Sequence, residues 1–178
     1  MEREIEIKLL GLNVDQLEKE LLARGATFLG REKQKNIRIN STLCTIPKEK
    51  GYLRIRTVIR KGEKEIHQFT FKESITEIGV RENLEHTTEI GDPQALLKIL
   101  NLMGFDQLKE GEKDRKSYAY QGLRFDFDTW DKDSYPHPYI EVEGPSMEEI
   151  YGVLDDLSID KRHVSTLSIA ELIKKLKK

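Results

Sequence analysis

The feature that most constrains this chain is an alternation of polar or charged with apolar residues, at a period of two, that recurs in six segments. These are Glu4-Ile5-Glu6-Ile7-Lys8, Tyr52-Leu53-Arg54-Ile55-Arg56, His67-Gln68-Phe69-Thr70-Phe71-Lys72, Arg81-Glu82-Asn83-Leu84-Glu85, Arg124-Phe125-Asp126-Phe127-Asp128 and Tyr139-Ile140-Glu141-Val142-Glu143. Period two is the side-chain period of a strand, so each segment carries its charges on one face and its apolar groups on the other, Glu82 beside Leu84 excepted. A solvated outer face accommodates one such strand. Six with the same polarity are harder to place. If every charged face looked outward, the apolar faces would enclose a single core and the chain's amphipathic helices would have nothing to cover. If the charged faces look inward, the strands close into a barrel and the helices pack on its apolar outside. A sheet of about eight strands leaves room inside for side chains and one small ligand.

The helices needed for the second arrangement are legible. Asn13 can cap a helix running to Ala23, with Val14, Leu17, Leu21 and Leu22 on one side and Gly25 as its stop. Asp92 and Pro93 open another, with Leu96, Leu97, Ile99 and Leu100 apolar and Gly104 ending it. Capping boxes at Ser146/Glu149 and Ser168/Glu171 announce two more. The remaining strands are expected over Phe28 to Asn40 and from Lys113-Asp114-Arg115 to a turn at Gly122, with a hairpin turn at Lys61-Gly62-Glu63 and a turn near Ile78-Gly79. The strand beginning at Tyr139 reads as the last. Strand, short turn and capped helix recur as Glu4 to Leu22, Thr87 to Leu100 and Tyr139 to Leu154, which reads as a duplicated β-α-β unit.

Composition narrows the function classes. The 178 residues suit a single domain spanning 1–178, and a net charge of −2 with 35% charged residues argues against a general nucleic-acid binder. Cys44 is the lone cysteine, so no intramolecular disulfide is expected and a reducing compartment fits. The charged start, Met1-Glu2-Arg3-Glu4, and the lack of a long apolar run predict a soluble, cytoplasmic protein with no membrane partner.

Inward-facing strands would bring Glu4, Glu6, Glu85, Asp128, Glu141 and Glu143 against Lys8, Arg54, Arg56, Lys72, Arg81, Lys113 and Arg115. Desolvating such ions costs several kcal/mol each unless they are paired or solvated, which suggests a function for them. Arg54 and Arg56 offer forked donors suited to phosphate. The pairs Glu4/Glu6 and Glu141/Glu143 suit Mg²⁺ or Mn²⁺, which take oxygen ligands and let phosphates complete the shell. A basic wall, an acidic wall and a metal between them describe a polyphosphate site. A network of buried salt bridges with no ligand is the alternative.

These residues also carry a family resemblance. Glu4-x-Glu6-x-Lys8, Leu53-Arg54-Ile55-Arg56, Phe69-Thr70-Phe71-Lys72, Asp128-Thr129-Trp130 and Tyr139-Ile140-Glu141-Val142-Glu143 together resemble the CYTH domain, or triphosphate tunnel metalloenzymes, over nearly the whole chain. The resemblance implies an α+β fold: an eight-stranded antiparallel β-barrel, or tunnel, with a charged interior and flanking amphipathic helices. It implies substrate-binding residues at Lys8, Arg54, Arg56, Lys72, Arg81, Lys113 and Arg115, metal-side acids at Glu4, Glu6, Glu141 and Glu143 with Glu85 and Asp128 added, and Mg²⁺ or Mn²⁺ as cofactor. Lys72 is the residue implied for proton handling or water positioning. The expected function is a metal-dependent phosphohydrolase acting on a small-molecule triphosphate: inorganic tripolyphosphate, a nucleoside triphosphate or thiamine triphosphate. A class IV adenylyl cyclase making cyclic AMP from ATP and a non-catalytic triphosphate or polyphosphate-binding module are the alternatives, and a homodimer stays open. Two departures stand out. Asn83 replaces an acid in the pattern Arg-x-Glu-x-Glu, which bears on a second metal, and Arg38-Ile39-Asn40 replaces a Tyr-Phe-Asp strand, adding a cation near the mouth.

Other features read as ordinary. His67, His86, His137 and His163 lack metal-ligand spacing, Cys44 lacks a neighbouring base, and Lys174-Lys175-Leu176-Lys177-Lys178 suits a solvated helix end.

Overall fold

The computed structural model describes residues 2–47, 49–77 and 80–176, without side chains at positions 2, 3, 76, 77, 80 and 81. The strands are β1 (Glu2–Leu9), β2 (Thr27–Asn40), β3 (Gly51–Ile59), β4 (Ile66–Glu77), β5 (Val80–Glu89), β6 (Gln107–Tyr120), β7 (Leu123–Trp130), β8 (Tyr139–Gly144) and β9 (Val164–Ser165). The helices are α1 (Val14–Ala23), α2 (Pro93–Leu102), α3 (Met147–Asp156) and α4 (Ile169–Leu176). The turn expected at Ile78-Gly79 lies outside the described residues.

All strand pairings are antiparallel, and the order β5-β4-β3-β2-β6-β7-β8-β1 is closed by β1 pairing with β5, Glu4 opposite Asn83. The result is the eight-stranded antiparallel barrel that the resemblance implies, the inward of the two arrangements that the alternation leaves open. The ring has an internal two-fold pattern: exchanging β1–β4 with β5–β8 returns the same order reversed, with β1–β5 and β2–β6 as its self-matched pairs. The expected repeat is thus present as β1-α1-β2 and β5-α2-β6. Its third echo, β8-α3, differs. It runs on through a 3₁₀ turn, Lys161–His163, into the two-residue β9, which pairs Lys8 with Ser165 and Leu9 with Val164. β8 is therefore not the last strand. A two-residue strand carries too little alternation to be read from sequence. β6 also starts earlier than Lys113, at Gln107, because the exposed Gln107-to-Glu112 stretch pairs along β2 from Asn40 to Lys35.

The apolar faces look outward, under the helices. Ile7, Leu9, Phe125, Phe127, Ile140 and Val142 pack against Leu17 and Leu21 of α1 and Ile150, Val153 and Leu154 of α3. Ile39 and Ile55 meet Leu100 of α2 in a second cluster. Full burial of each such side chain contributes about 1.5–3 kcal/mol, so the helices are what make an inward-charged barrel stable. Their starts are fixed by caps. Asn13 accepts from the Gln16 amide (3.1 Å), Asp92 from the Gln94 and Ala95 amides, and Ser146 from the Glu149 amide (3.2 Å). Ser168 and Glu171 cap reciprocally, each accepting from the other's amide.

One backbone approach matters for the interior. A Cβ at Gly51, where φ is +124°, would run into the carbonyl oxygen of Lys72 on the neighbouring strand. Glycine there lets β3 close onto β4 at the residue whose side chain enters the lumen.

Candidate active site

The inward faces line a cavity of about 190 Å³. Its wall includes Glu4, Glu6, Lys8, Arg54, Arg56, Lys72, Glu85, Lys113, Arg115, Glu141 and Glu143, all expected from sequence. Asp128 belongs to another layer. It is off the cavity wall, its side chain is 0% exposed, and its oxygens are taken by Lys113 (2.8 Å) and by two bonds from Arg115 (2.6 Å each). Arg81 follows the same strand face as Asn83 and Glu85, but its side chain lies outside the described residues.

The acidic wall is split by its partners. Burial favours the neutral form of Glu141, yet Lys8, Lys113 and Arg115 outweigh it and hold the carboxyl well below the usual range. It bonds Lys8 at 3.1 Å and Arg115 at 2.5 Å. Glu143 behaves oppositely. Burial, then the charges of Glu4, Asp126 and Glu6, push it up to about 7 against the pull of Arg124. Glu4 is also raised, by burial first, although it touches Lys72. Crowded carboxylates that resist ionisation mark a place for a cation. Among the described residues, no three Asp, Glu, His or Cys side chains converge into a ready-made metal cage. The donors fit a hard ion such as Mg²⁺ or Mn²⁺ that takes a few carboxylates and fills its shell with water and phosphate oxygens.

The basic wall is split as well. Arg115 is saturated by Asp126 (2.5 Å), Asp128 and Glu141, and burial notwithstanding its pKa is driven further up. Lys72 is shared between Glu4 and Glu85 (3.1 Å); the acidic neighbours overcome burial and keep it protonated. Glu85, expected on the metal side, faces Lys72 and Arg54 instead, and those cations outweigh burial and lower it. Arg56 has no carboxylate within salt-bridge distance among the described residues. Its Nε donates to Asn36 Oδ1 (2.9 Å), and burial with Arg54 and Arg115 pulls it down to about 10. Arg54 reaches Glu85 only at 3.4 Å, and its buried Nε has no partner. Lys113 is held to about 8 by burial and by Arg115, which competes with it for Asp128.

Several lumen residues were not singled out from sequence. Asp126 shares the strand face of Asp128 and does line the cavity, bonded to Arg115 and Arg124 (2.9 Å). Asn36 and Tyr52 sit on the inward faces of β2 and β3, where period two could have found them. Ser168 and, from α4, Ile169, Ala170 and Ile173 also border the cavity, and Ile169 and Ile173 cluster with Trp130, Tyr139 and Leu10. That contact depends on how the C-terminal segment folds back, which no local pattern encodes.

A closed antiparallel barrel with opposed acidic and basic inner walls defines the class of a charged β-tunnel. The CYTH domain family model matches residues 2–166, and the chain belongs to that family. A search of curated proteins gave no match. Among solved structures, the PH1012 protein of Pyrococcus horikoshii is 22% identical with a TM-score of 0.78, covering 95% of this chain and 98% of that one. A protein of Vibrio parahaemolyticus described as an adenylate cyclase candidate has a TM-score of 0.73 at 13% identity, covering 96% and 97%. An adenylyl cyclase candidate from Hippeastrum, described as having a dominant triphosphatase activity, has a TM-score of 0.63 at 19% identity, covering 94% and 91%. At these identities the likeness is one of fold. No described helix is long and apolar enough to cross a membrane.

Proposed function

We propose that this chain is a divalent-metal-dependent phosphohydrolase that binds a triphosphate in its lumen. The observation that carries the reading is Arg56, a half-buried lumen cation with no carboxylate within salt-bridge distance among the described residues, beside the orphaned Nε of the buried Arg54. Buried charges are ordinarily paired, and two guanidiniums left short of acceptors are complementary to an anionic chain. Lys8 and Lys113 extend that surface, while Arg115, tied to its three carboxylates, supports it from behind. Glu4, Glu6, Glu143 and Asp126 would hold the metal, with Glu141 and Asp128 orienting the basic residues they bind. When bound, Mg²⁺ or Mn²⁺ would polarise a phosphoryl oxygen and favour ionisation of a water.

Lys72 has a narrower part than general proton handling. Because Glu6, Tyr52, Glu4 and Glu85 keep it protonated, it is a donor and not a base. It would steady Glu4 and offer a proton or a positive charge to a phosphate oxygen as water adds to the terminal phosphorus and the diphosphate portion leaves, as pyrophosphate in the case of tripolyphosphate.

Hydrolysis is favoured over cyclisation by size. The cavity of about 190 Å³ is below the roughly 300–1,000 Å³ of pockets that enclose drug-sized ligands, so it suits a phosphate chain without an enclosed nucleoside. Cyclisation would need the ribose hydroxyl inside, against the α-phosphate. The test is a panel of tripolyphosphate, ATP and thiamine triphosphate with Mg²⁺ or Mn²⁺, scoring phosphate, pyrophosphate and cyclic AMP. Metal-dependent phosphate release is expected. Cyclic AMP and pyrophosphate from ATP, without phosphate, would identify a cyclase instead.

A further inference from the structure

Lys109, Arg38 and Arg54 are direct register partners on three consecutive strands, β6, β2 and β3, and all three border the cavity. Like charges opposite one another across strands repel, so such a row is unfavourable without a counter-charge. Arg54 has its distant contact with Glu85, but Arg38 and Lys109 have no carboxylate within salt-bridge distance among the described residues. Glu110 borders the same cavity and makes no ion pair with Lys109. The row also grades from solvent inward: Lys109 is exposed, Arg38 half-buried and Arg54 buried. Arg38 is held in place. Its guanidinium carbon lies 4.2 Å from the centroid of the Tyr52 ring, a cation–π contact that leaves its N–H groups available to an anion.

We propose that Arg38 and Lys109 form a further phosphate subsite at the mouth of the cavity, contiguous with Arg54. It takes the fourth and later phosphates of a linear polyphosphate whose end lies in the lumen. This rests on the triphosphate reading above and extends its substrate class to longer chains. An aromatic base is a poorer fit there, because Arg38 already covers a face of Tyr52 and what remains is cationic edge. A fourth phosphate brings the charge that the row lacks.

The test is calorimetric titration of linear tripolyphosphate and tetrapolyphosphate, with Mg²⁺, into the wild type, Arg38→Gln and Lys109→Ala, each checked for folding by its melt. In the wild type the longer chain should bind about three- to tenfold more tightly, the size of a partly screened charge contact. That ratio should fall toward one in both variants. A wild type that binds tripolyphosphate with no gain for tetrapolyphosphate overturns the mouth subsite alone, as does a gain that persists in both variants. A wild type that binds neither chain overturns this subsite together with the triphosphate reading beneath it.

Discussion

Glu6 and Glu143 stand directly opposite each other across the β1–β8 pair, two carboxylates at a position where neighbouring strands normally avoid like charges. Two register steps further, Lys8 stands opposite Glu141, and the two form an ion pair at 3.1 Å. The barrel thus changes from a like-charged pair to a matched pair within two residues of one strand; Lys8 also reaches Glu6 at 3.5 Å, and the like-charged pair is where the proposed metal would sit.

Glu143→Gln removes half of that repulsion while keeping the shape. The metal-free variant should melt at or above the wild-type temperature, and metal-dependent turnover of tripolyphosphate should be lost. Parallel melts and phosphate-release assays check this. Unchanged turnover and metal dependence would remove Glu143 from the metal side.

Arg115 should behave as part of the fold. Its guanidinium joins Asp126, Asp128 and Glu141, so Arg115→Ala leaves two buried carboxylates and one half-buried one without their shared cation. Breaking a buried ionic network in this way typically costs about 3–5 kcal/mol. Urea unfolding should show a loss of that order, together with loss of triphosphate binding.

Lys113 gives the lumen a pH dependence of predictable sign. In the folded protein it releases its proton near 8, whereas the ordinary value is 10.5. Between these values the unfolded chain holds more protons, so the Lys113 contribution makes the ligand-free protein more stable as pH rises from 8 toward 10.5. Triphosphate affinity should move the other way. Binding to the ammonium requires the proton, so affinity should weaken above pH 8, by at most about tenfold per pH unit. Lys113→Met should remove both inflections, as melts and titrations across pH 7 to 10 can show.

Much of this was legible in the chain because period-two alternation reports a face directly. Glu4-Ile5-Glu6-Ile7-Lys8 assigns β1 its inner and outer residues, and its inner charges and those of β3, β4 and β8 do line the cavity. What alternation cannot report is depth. Asp126 and Asp128 share one face of β7, yet one borders the cavity and the other lies behind Lys113 and Arg115, a difference set by strand tilt and neighbouring side chains. Nor does it report which charges pair. Glu85 reads as a metal-side acid in the sequence, and in the fold Arg54 and Lys72 converge on it. The α4 contribution was hidden for another reason: Ile169 and Ile173 form an ordinary apolar helix stripe, and only the fold-back through β9 brings them to Trp130 and Tyr139.

The most direct test is calorimetric titration of tripolyphosphate, with Mg²⁺, into the wild type and Arg56→Ala. Arg56 has no ion pair to lose among the described residues, so the variant should fold and melt at or above the wild-type temperature without ligand. One charge-assisted contact is worth about 1.5–3 kcal/mol, so affinity should fall by roughly 10- to 150-fold, more for tripolyphosphate than for monophosphate. The rise in melting temperature that tripolyphosphate gives the wild type should shrink in parallel. Equal tripolyphosphate affinity in the two proteins would contradict a phosphate-binding lumen and leave its charges as a structural network.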